Sequence, residues 1–343
     1  MSRSQPILLG LMVMFLTPAL TAHAIAQGVA DFYRGKTLSM IIGSGAGGGS
    51  DVFSRVFSRY LTKHMPGHPR IIVQNLPAAG GVVAAQEIFN TAPRDGTVLG
   101  SVMRTIPFMP LLTEQKVSYD ANKMNWLGSL NRETNVIVTW HTSPSKTLDD
   151  IFRRRTVVGT SGFGSDSQVY TQLLNRTLGT KFDLVGGYKG GPEIDLAMER
   201  GEVEGRVSIT WTSLKTGHVD WVKNHKVNVI AQLGLRRDPD LPDVPNVLDL
   251  VRDPNDRQVF EFLFARQEAG RPYAAPPNVP ADRIGALRQA FKAAADDPEF
   301  VADIEGRGGS VEFMPGGELQ SLIAQLYETS PQVLKAVRQA LDN

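Results

Sequence analysis

The stretch Leu38-Ser-Met-Ile-Ile-Gly43-Ser-Gly-Ala-Gly-Gly-Gly49-Ser-Asp51-Val-Phe-Ser-Arg-Val-Phe-Ser-Arg59 leaves this chain few options. An apolar run of strand length ends in a glycine cluster. A helical pattern follows, with Val52, Val56, Tyr60 and Leu61 on one face. A strand that feeds a glycine loop and then a helix N-terminus is an anion-binding device. Glycines let a ligand approach the backbone, and the first helical N–H groups have no partner inside the helix.

A dinucleotide is the obvious anion, and the sequence argues against it. Gly43-x-Gly45-x-x-Gly48 matches the dinucleotide fingerprint, which also asks for an acid at the end of the next strand. That strand, Ile71-Ile-Val-Gln-Asn75, ends in Asn, and no Gly-Lys-Ser/Thr follows the loop. The N-terminus points the same way. Arg3, the apolar run Ile7 to Leu16, and Ala22-His-Ala24-Ile-Ala26 have the form of a cleavable secretory signal peptide over residues 1–26. The apolar core is short for a bilayer span, and no cysteine follows it for lipid attachment. The mature chain is thus expected to be exported, soluble and periplasmic, where NAD and ATP are scarce.

Losing residues 1–26 removes a single charge, Arg3, and leaves 35 basic against 35 acidic residues. Such a chain has no broad field for nucleic acid or a membrane surface. Without cysteine it has no disulfide, thiol catalysis or thiolate metal site. His64 and His68 have metal-ligand spacing, but Pro66 and Gly67 between them favour a turn. No Gly-x-Ser-x-Gly elbow and no Asp/Glu/His cluster suggests an enzyme or a metal centre.

Strand-like and helix-like segments alternate, which predicts an α/β architecture. Strands are expected at 38–42, 71–74, 97–103, 126–130, 135–139, 156–159, 182–185, 203–209 and 227–233. Helices are expected at 52–64, 82–90, 147–154, 168–178 and 193–200. After residue 235 the chain reads as helices joined by Pro- and Gly-rich loops, Pro272 to Pro280 among them. Four loops share one grammar: strand, Gly and small polar residues, helix. Loops at the carboxyl ends of strands can converge on a ligand cleft.

These loops resemble a known family. Gly47-Gly-Gly-Ser-Asp51-x-x-x-Arg55, Gln74-Asn-Leu-Pro-Ala-Ala-Gly-Gly81 and Ala92-Pro-Arg-Asp-Gly-Thr-Val-Leu-Gly100 are similar to its three opening signatures. Gly159-Thr-Ser-Gly-Phe-Gly-Ser165, Tyr188-Lys-Gly-Gly-Pro192, Gly201-Glu-Val-Glu-Gly205, Leu241-Pro-Asp-Val-Pro245 and Ala275-Pro-Pro-Asn-Val-Pro280 continue the match in order. Together they resemble the periplasmic solute receptors of tripartite tricarboxylate transporters, also called Bug receptors. The resemblance implies a type II periplasmic binding fold: two α/β lobes, two crossover strands and a central ligand cleft. It implies a small carboxylate ligand, often held by backbone amides and waters, and a membrane transporter partner with one large and one small subunit. It implies no catalysis and no cofactor. Ala46 and Ala78 depart from the family's usual Pro and Gly, and Gly205-Arg206-Val-Ser208-Ile-Thr210-Trp211 suggests a subgroup with its own ligand chemistry.

On this reading the chain is a monomer whose first lobe is 28–130 plus 235–343 and whose second is 131–234. Gly45, Gly47, Gly48 and Gly49 offer amides to a carboxylate, helped by the helix dipole, and Asp51 stabilises the helix start. Ala79, Gly80 and Gly81 present facing amides, while Ser161, Gly164 and Ser165 close from the second lobe. Arg206 is a candidate bidentate partner or a surface residue, and Arg104 has the same standing. Trp211 stacks on a flat ligand or packs in the core. Tyr188 offers its hydroxyl, and Lys189 caps or faces solvent. The ligand is expected to be a di- or tricarboxylate or an aromatic acid. The alternatives are a sensor subunit with the same cleft and a secreted nucleotide-dependent oxidoreductase.

Overall fold

A computed structural model describes residues 27–47, 49–112, 117–160, 165–188 and 190–342. The expected signal peptide, Gly48, Ser161, Gly164 and Lys189 lie outside these residues.

Strand β1 (Thr37–Ile42) runs in parallel between β2 (Arg70–Asn75) and β3 (Val98–Ser101). Leu38, Met40 and Ile42 are fully buried and Ile41 nearly so, as expected of a strand covered on both faces. Beyond β3 lie β10 (Pro272–Ala275), β4 (Asn125–Ser129) and β11 (Met314–Pro315), all joined by antiparallel pairing. The second sheet has the order β7 (Phe182–Val185), β6 (Thr156–Gly159), β8 (Gly205–Thr210), β5 (Asn135–Trp140) and β9 (Val227–Leu233). The chain crosses from the first sheet between β4 and β5 and returns between the helix α4 (Pro254–Glu268) and β10.

Each sheet is covered on both faces. On the first, α1 (Gly49–His64) and α5 (Ala281–Ala295) bring Phe53, Phe57 and Phe291 against Leu38, Met40 and Tyr273. The opposite face gathers Ile41, Ile88, Trp126, Leu319 and Ile323. On the second sheet, α2 (Asp166–Leu178), α4 and α6 (Pro331–Asp342) pack against Ile137, Val158, Val207 and Ile230. The helix α3 (Gly191–Glu199) covers its other face, with Ile194 and Met198 beside Val136, Val138 and Ile209.

One expectation is corrected. Pro272–Ala275, read as loop, is a buried strand in the middle of the first sheet. Pro272 stands at its first position, where the missing N–H is tolerated, and its carbonyl accepts the Val102 amide at 3.1 Å. The Tyr273 hydroxyl lies 2.7 Å from Ser54 Oγ, tying β10 to α1. Residues 254–268 and 331–342, expected with the rest of 235–343 in the first lobe, share a buried cluster with second-sheet residues through Phe260, Phe264, Val333 and Val337.

A polar cleft as candidate ligand site

A cleft of about 650 Å³ opens where the end of β3, the crossover into β5, the start of α2 and the strand β8 approach one another. Arg104 and Thr105 reach it from the first sheet; Glu133 and Asn135 come from the crossover. Ser165, Asp166, Asp195, Arg206, Ser208, Thr210, His218 and Arg266 line the far side. Large apolar side chains contribute little to this wall.

Its charges are paired. Arg206 Nη1 donates to Asp195 Oδ1 at 2.6 Å and to the Gly191 carbonyl at 3.3 Å, and Nη2 donates to the Ser208 carbonyl at 3.4 Å. Asp195 Oδ2 lies 3.1 Å from His218 Nε2, whose ring stacks on Trp221 at 4.0 Å. A Cβ on Gly191 would stand 3.0 Å from Arg206 Nη1, so glycine makes room for the guanidinium. Arg266 Nη2 donates to Asp166 Oδ1 at 2.8 Å, and Arg104 donates to Asp166 Oδ2 at 3.3 Å and to Glu133 at 3.4 Å. Ser208 has φ 72°, and the β5–β8 register shifts between Val136 and Ile137. A non-glycine residue held there costs about 1–3 kcal/mol, a kind of strain that clusters at functional sites.

The glycine loop after β1 is braced from within. Asp51 accepts from the Gly47 amide at 2.9 Å, from Arg55 Nε at 2.9 Å and from Asn75 Nδ2 at 2.8 Å. Asn75 Nδ2 also donates to the Ser44 carbonyl at 2.9 Å. Burial alone would raise the Asp51 pKa, but the bonds from Arg55, Gly47 and Asn75 hold it below the usual carboxylate value. Asn75 stands where a nucleotide site would have its acid and spends its amide on the loop instead. In the second loop Ala79, Gly80 and Gly81 have φ 51°, 63° and 90°. Gly81 is buried against Gly43: a Cβ would lie 2.9 Å from the Gly43 carbonyl oxygen and 2.8 Å from Met103 Cγ. Gly80, like Gly45 and Gly47, has open space where a Cβ would go.

Of the residues singled out in the sequence, the structure brings Arg104, Ser165 and Arg206 to the cleft. Gly45, Gly47, Gly49, Ala79, Gly80 and Gly81 are outside its lining. Gly47 is corrected as an amide donor to ligand, because Asp51 holds that amide. Of its two readings Trp211 takes the core one: it is 8% exposed, packs with Ile194, Met198 and Leu214, and donates Nε1 to Asp240 at 3.2 Å. Tyr188 is absent from the cleft lining, and its ring packs beside Gly159 on the second-lobe core. Ser165 caps α2, accepting the Gln168 amide at 3.3 Å.

Sequence reasoning missed Glu133, Asp166, Asp195 and Arg266, while the hydroxyls Ser208 and Thr210, noted beside Arg206 in the sequence, do line the cleft. Asp166 reads as an ordinary helix-start residue, and Arg266 follows the apolar run Phe262-Leu-Phe-Ala265 with no local signal of a cleft. Among the described residues no group of three or more His, Asp or Glu is placed to hold a metal ion, and no helix is long and apolar enough to cross a membrane.

The model of the tripartite tricarboxylate transporter family receptor matches residues 54–338. A UPF0065 protein encoded in the gbd 5′ region of Cupriavidus necator is 28% identical over 282 residues, 80% of this chain and 79% of the relative. The fold is similar to that of a TctC solute-binding protein from Polaromonas, solved without ligand. Its TM-score is 0.72 and its identity 18%, covering 90% of this chain and 99% of that one. It is also similar to MatC from Rhodopseudomonas palustris with bound malate, at TM-score 0.54 and 21% identity, covering 89% and 99%.

Proposed function

The chain belongs to the tripartite tricarboxylate transporter receptor family, and we propose that it captures a small carboxylate in the polar cleft and delivers it to a membrane transporter. The family and the solved relatives are binding proteins, and the type II periplasmic binding fold with two α/β lobes places this chain among them. The observation that carries the ligand class is the set of three arginines, Arg104, Arg206 and Arg266, around one hydroxyl-rich cleft. Guanidinium groups match carboxylates in planar, two-bonded geometry. The malate held by the similar R. palustris protein is a dicarboxylate and supports the same class.

In this reading the mature chain works in the periplasm as a monomer after loss of residues 1–26, and its partner has one large and one small membrane subunit. The lobes follow the two sheets, with α4 and α6 assigned to the second. Arg104, Ser165 and Arg206 belong to the site, and Gly45, Gly49 and the loop Ala79–Gly81 complete it when the lobes close. Ligand that contacts both lobes favours the closed state by its differential affinity.

The test is a thermal-shift screen of the mature protein against mono-, di- and tricarboxylates and aromatic acids, with NADH and ATP alongside. A ligand at 100 times its dissociation constant adds about 2.7 kcal/mol of stability. Stabilisation by a carboxylate supports the reading. A response to NADH or ATP with none to any carboxylate refutes it.

A further inference from the structure

We propose that Arg104 and Arg266 form the side-chain clamp for the ligand's carboxylate, and that Asp166 occupies this clamp as an internal carboxylate which the ligand's own displaces. The inference rests on the carboxylate reading above and names the residues through which that reading operates.

The Asp166 carboxylate already has the geometry a captured carboxylate needs. Oδ1 is 2.8 Å from Arg266 Nη2, and Oδ2 is 3.3 Å from Arg104 Nη2. Arg104 stands at the end of β3 in the first sheet, whereas Arg266 lies on α4, packed on the second. One carboxylate therefore bridges guanidiniums from the two sides of the cleft.

The three arginines differ in how firmly they are held. Arg206 is locked: it is bonded at 2.6 Å to Asp195, which is 6% exposed, and it also reaches two carbonyls. Taking Arg206 from Asp195 would leave a buried carboxylate with His218 alone, a costly exchange. Arg104 is loosely held. Both of its carboxylate contacts are near the outer limit of a hydrogen bond, and its side chain is 37% exposed. Arg266 is 12% exposed, and besides Asp166 it donates to the Leu263 carbonyl at 3.4 Å. A cation so enclosed needs an anion beside it at all times, and either Asp166 or a ligand can supply one.

Asp166 has somewhere to go. It follows the cap residue Ser165 at the start of a 13-residue helix and its side chain is 22% exposed. There the helix dipole favours a negative charge turned to water. Displacement thus exchanges one carboxylate for another at Arg266 and strands neither charge. It also sets a threshold: an anion must grip both arginines better than an internal competitor that loses no translational freedom.

The experiment is calorimetric titration of malate, citrate and benzoate into the wild-type protein, Asp166→Asn and Arg104→Gln, with thermal melts to establish that each is folded. Asp166→Ser, also a good helix-start residue, replaces Asp166→Asn if that variant fails to fold. The expected result is binding about tenfold tighter without the Asp166 charge and about tenfold weaker without Arg104, each the response to one charge-assisted hydrogen bond. Binding by Asp166→Asn alone, with none by the wild type, also supports an internal competitor. Unchanged or weaker binding by Asp166→Asn overturns the proposal, weaker binding meaning that Asp166 itself holds the ligand. Wild-type affinity in Arg104→Gln overturns the clamp while leaving the carboxylate reading intact. Failure of every protein to bind any of the three acids sinks both.

Discussion

Asp195 is 6% exposed and depends on Arg206, 2.6 Å away, for most of its compensation. Arg206→Ala is therefore expected to weaken folding as well as binding. Breaking a buried pair from one side costs about 3–5 kcal/mol, and denaturant unfolding of the variant measures it; an unchanged midpoint would show that water or His218 satisfies Asp195. The glycines of the second loop separate in the same way. Gly81→Ala would press a methyl against the Gly43 carbonyl and Met103, whereas Gly80→Ala meets open space and only the strain of its positive φ, about 1–2 kcal/mol. The Gly81 variant should melt at the lower temperature, and the Gly80 variant should stay folded and lose carboxylate binding in a thermal-shift assay. Equal melting points would contradict the packing seen at Gly81.

The helix α1 is fastened at both ends. Asp51 holds the entry loop, and at the far end Asp297 accepts from His64 at 2.8 Å and Lys63 at 3.0 Å. Those two bonds, aided by the Glu299 amide, hold the Asp297 pKa down to about 2. Because the folded value lies below the unfolded one, near 4, this stabilisation is complete above about pH 4 and is lost as the pH falls toward 2. Asp297→Asn should flatten the acid limb of the stability curve between those values and leave its slope near pH 7 unchanged, as followed by denaturant midpoints; an unaltered acid limb would remove Asp297 from this role. Elements of this kind were legible in sequence: the Gly49–His64 helix and the strands 156–159, 182–185 and 227–233 follow from periodicity and glycine boundaries. The strand Pro272–Ala275 was not, because four residues rich in alanine carry no alternation and little strand propensity. Nor was the break at Ser208, whose positive φ comes from the register shift against β5.

At the scale of the molecule, α6 supplies Val333, Val337 and Ala340 to the core beneath the second sheet. Deleting residues 331–343 should expose that core and accelerate amide exchange in β5, β6 and β8, with β1 and β3 changed little. Faster exchange centred on β1 and β3 would return α6 to the first lobe. Ligand capture has its own global signature. If malate bridges Arg104 and the far wall, scattering should show the radius of gyration falling when malate is added, and an unchanged curve with saturated binding would confine the ligand to one lobe.

The sequence by itself determined the class of fold and the family. Strand periods, glycine loops and helix starts are local, and each is set by backbone sterics and by apolar residues a few positions apart. A role for Asp51 in stabilising the helix start was legible from its position, whereas its bonds to the Gly47 amide and Asn75 were not. Only the tertiary structure decided which arginines face the cleft and how firmly each is held. Asp166 is 62 positions from Arg104 and 100 from Arg266, and no local pattern records that these side chains meet. It likewise decided which sheet takes α4 and α6, because an apolar stripe says that a helix face must be buried but not against what. The charges that line this cleft belong to residues brought together by packing, and packing is a property of the whole chain.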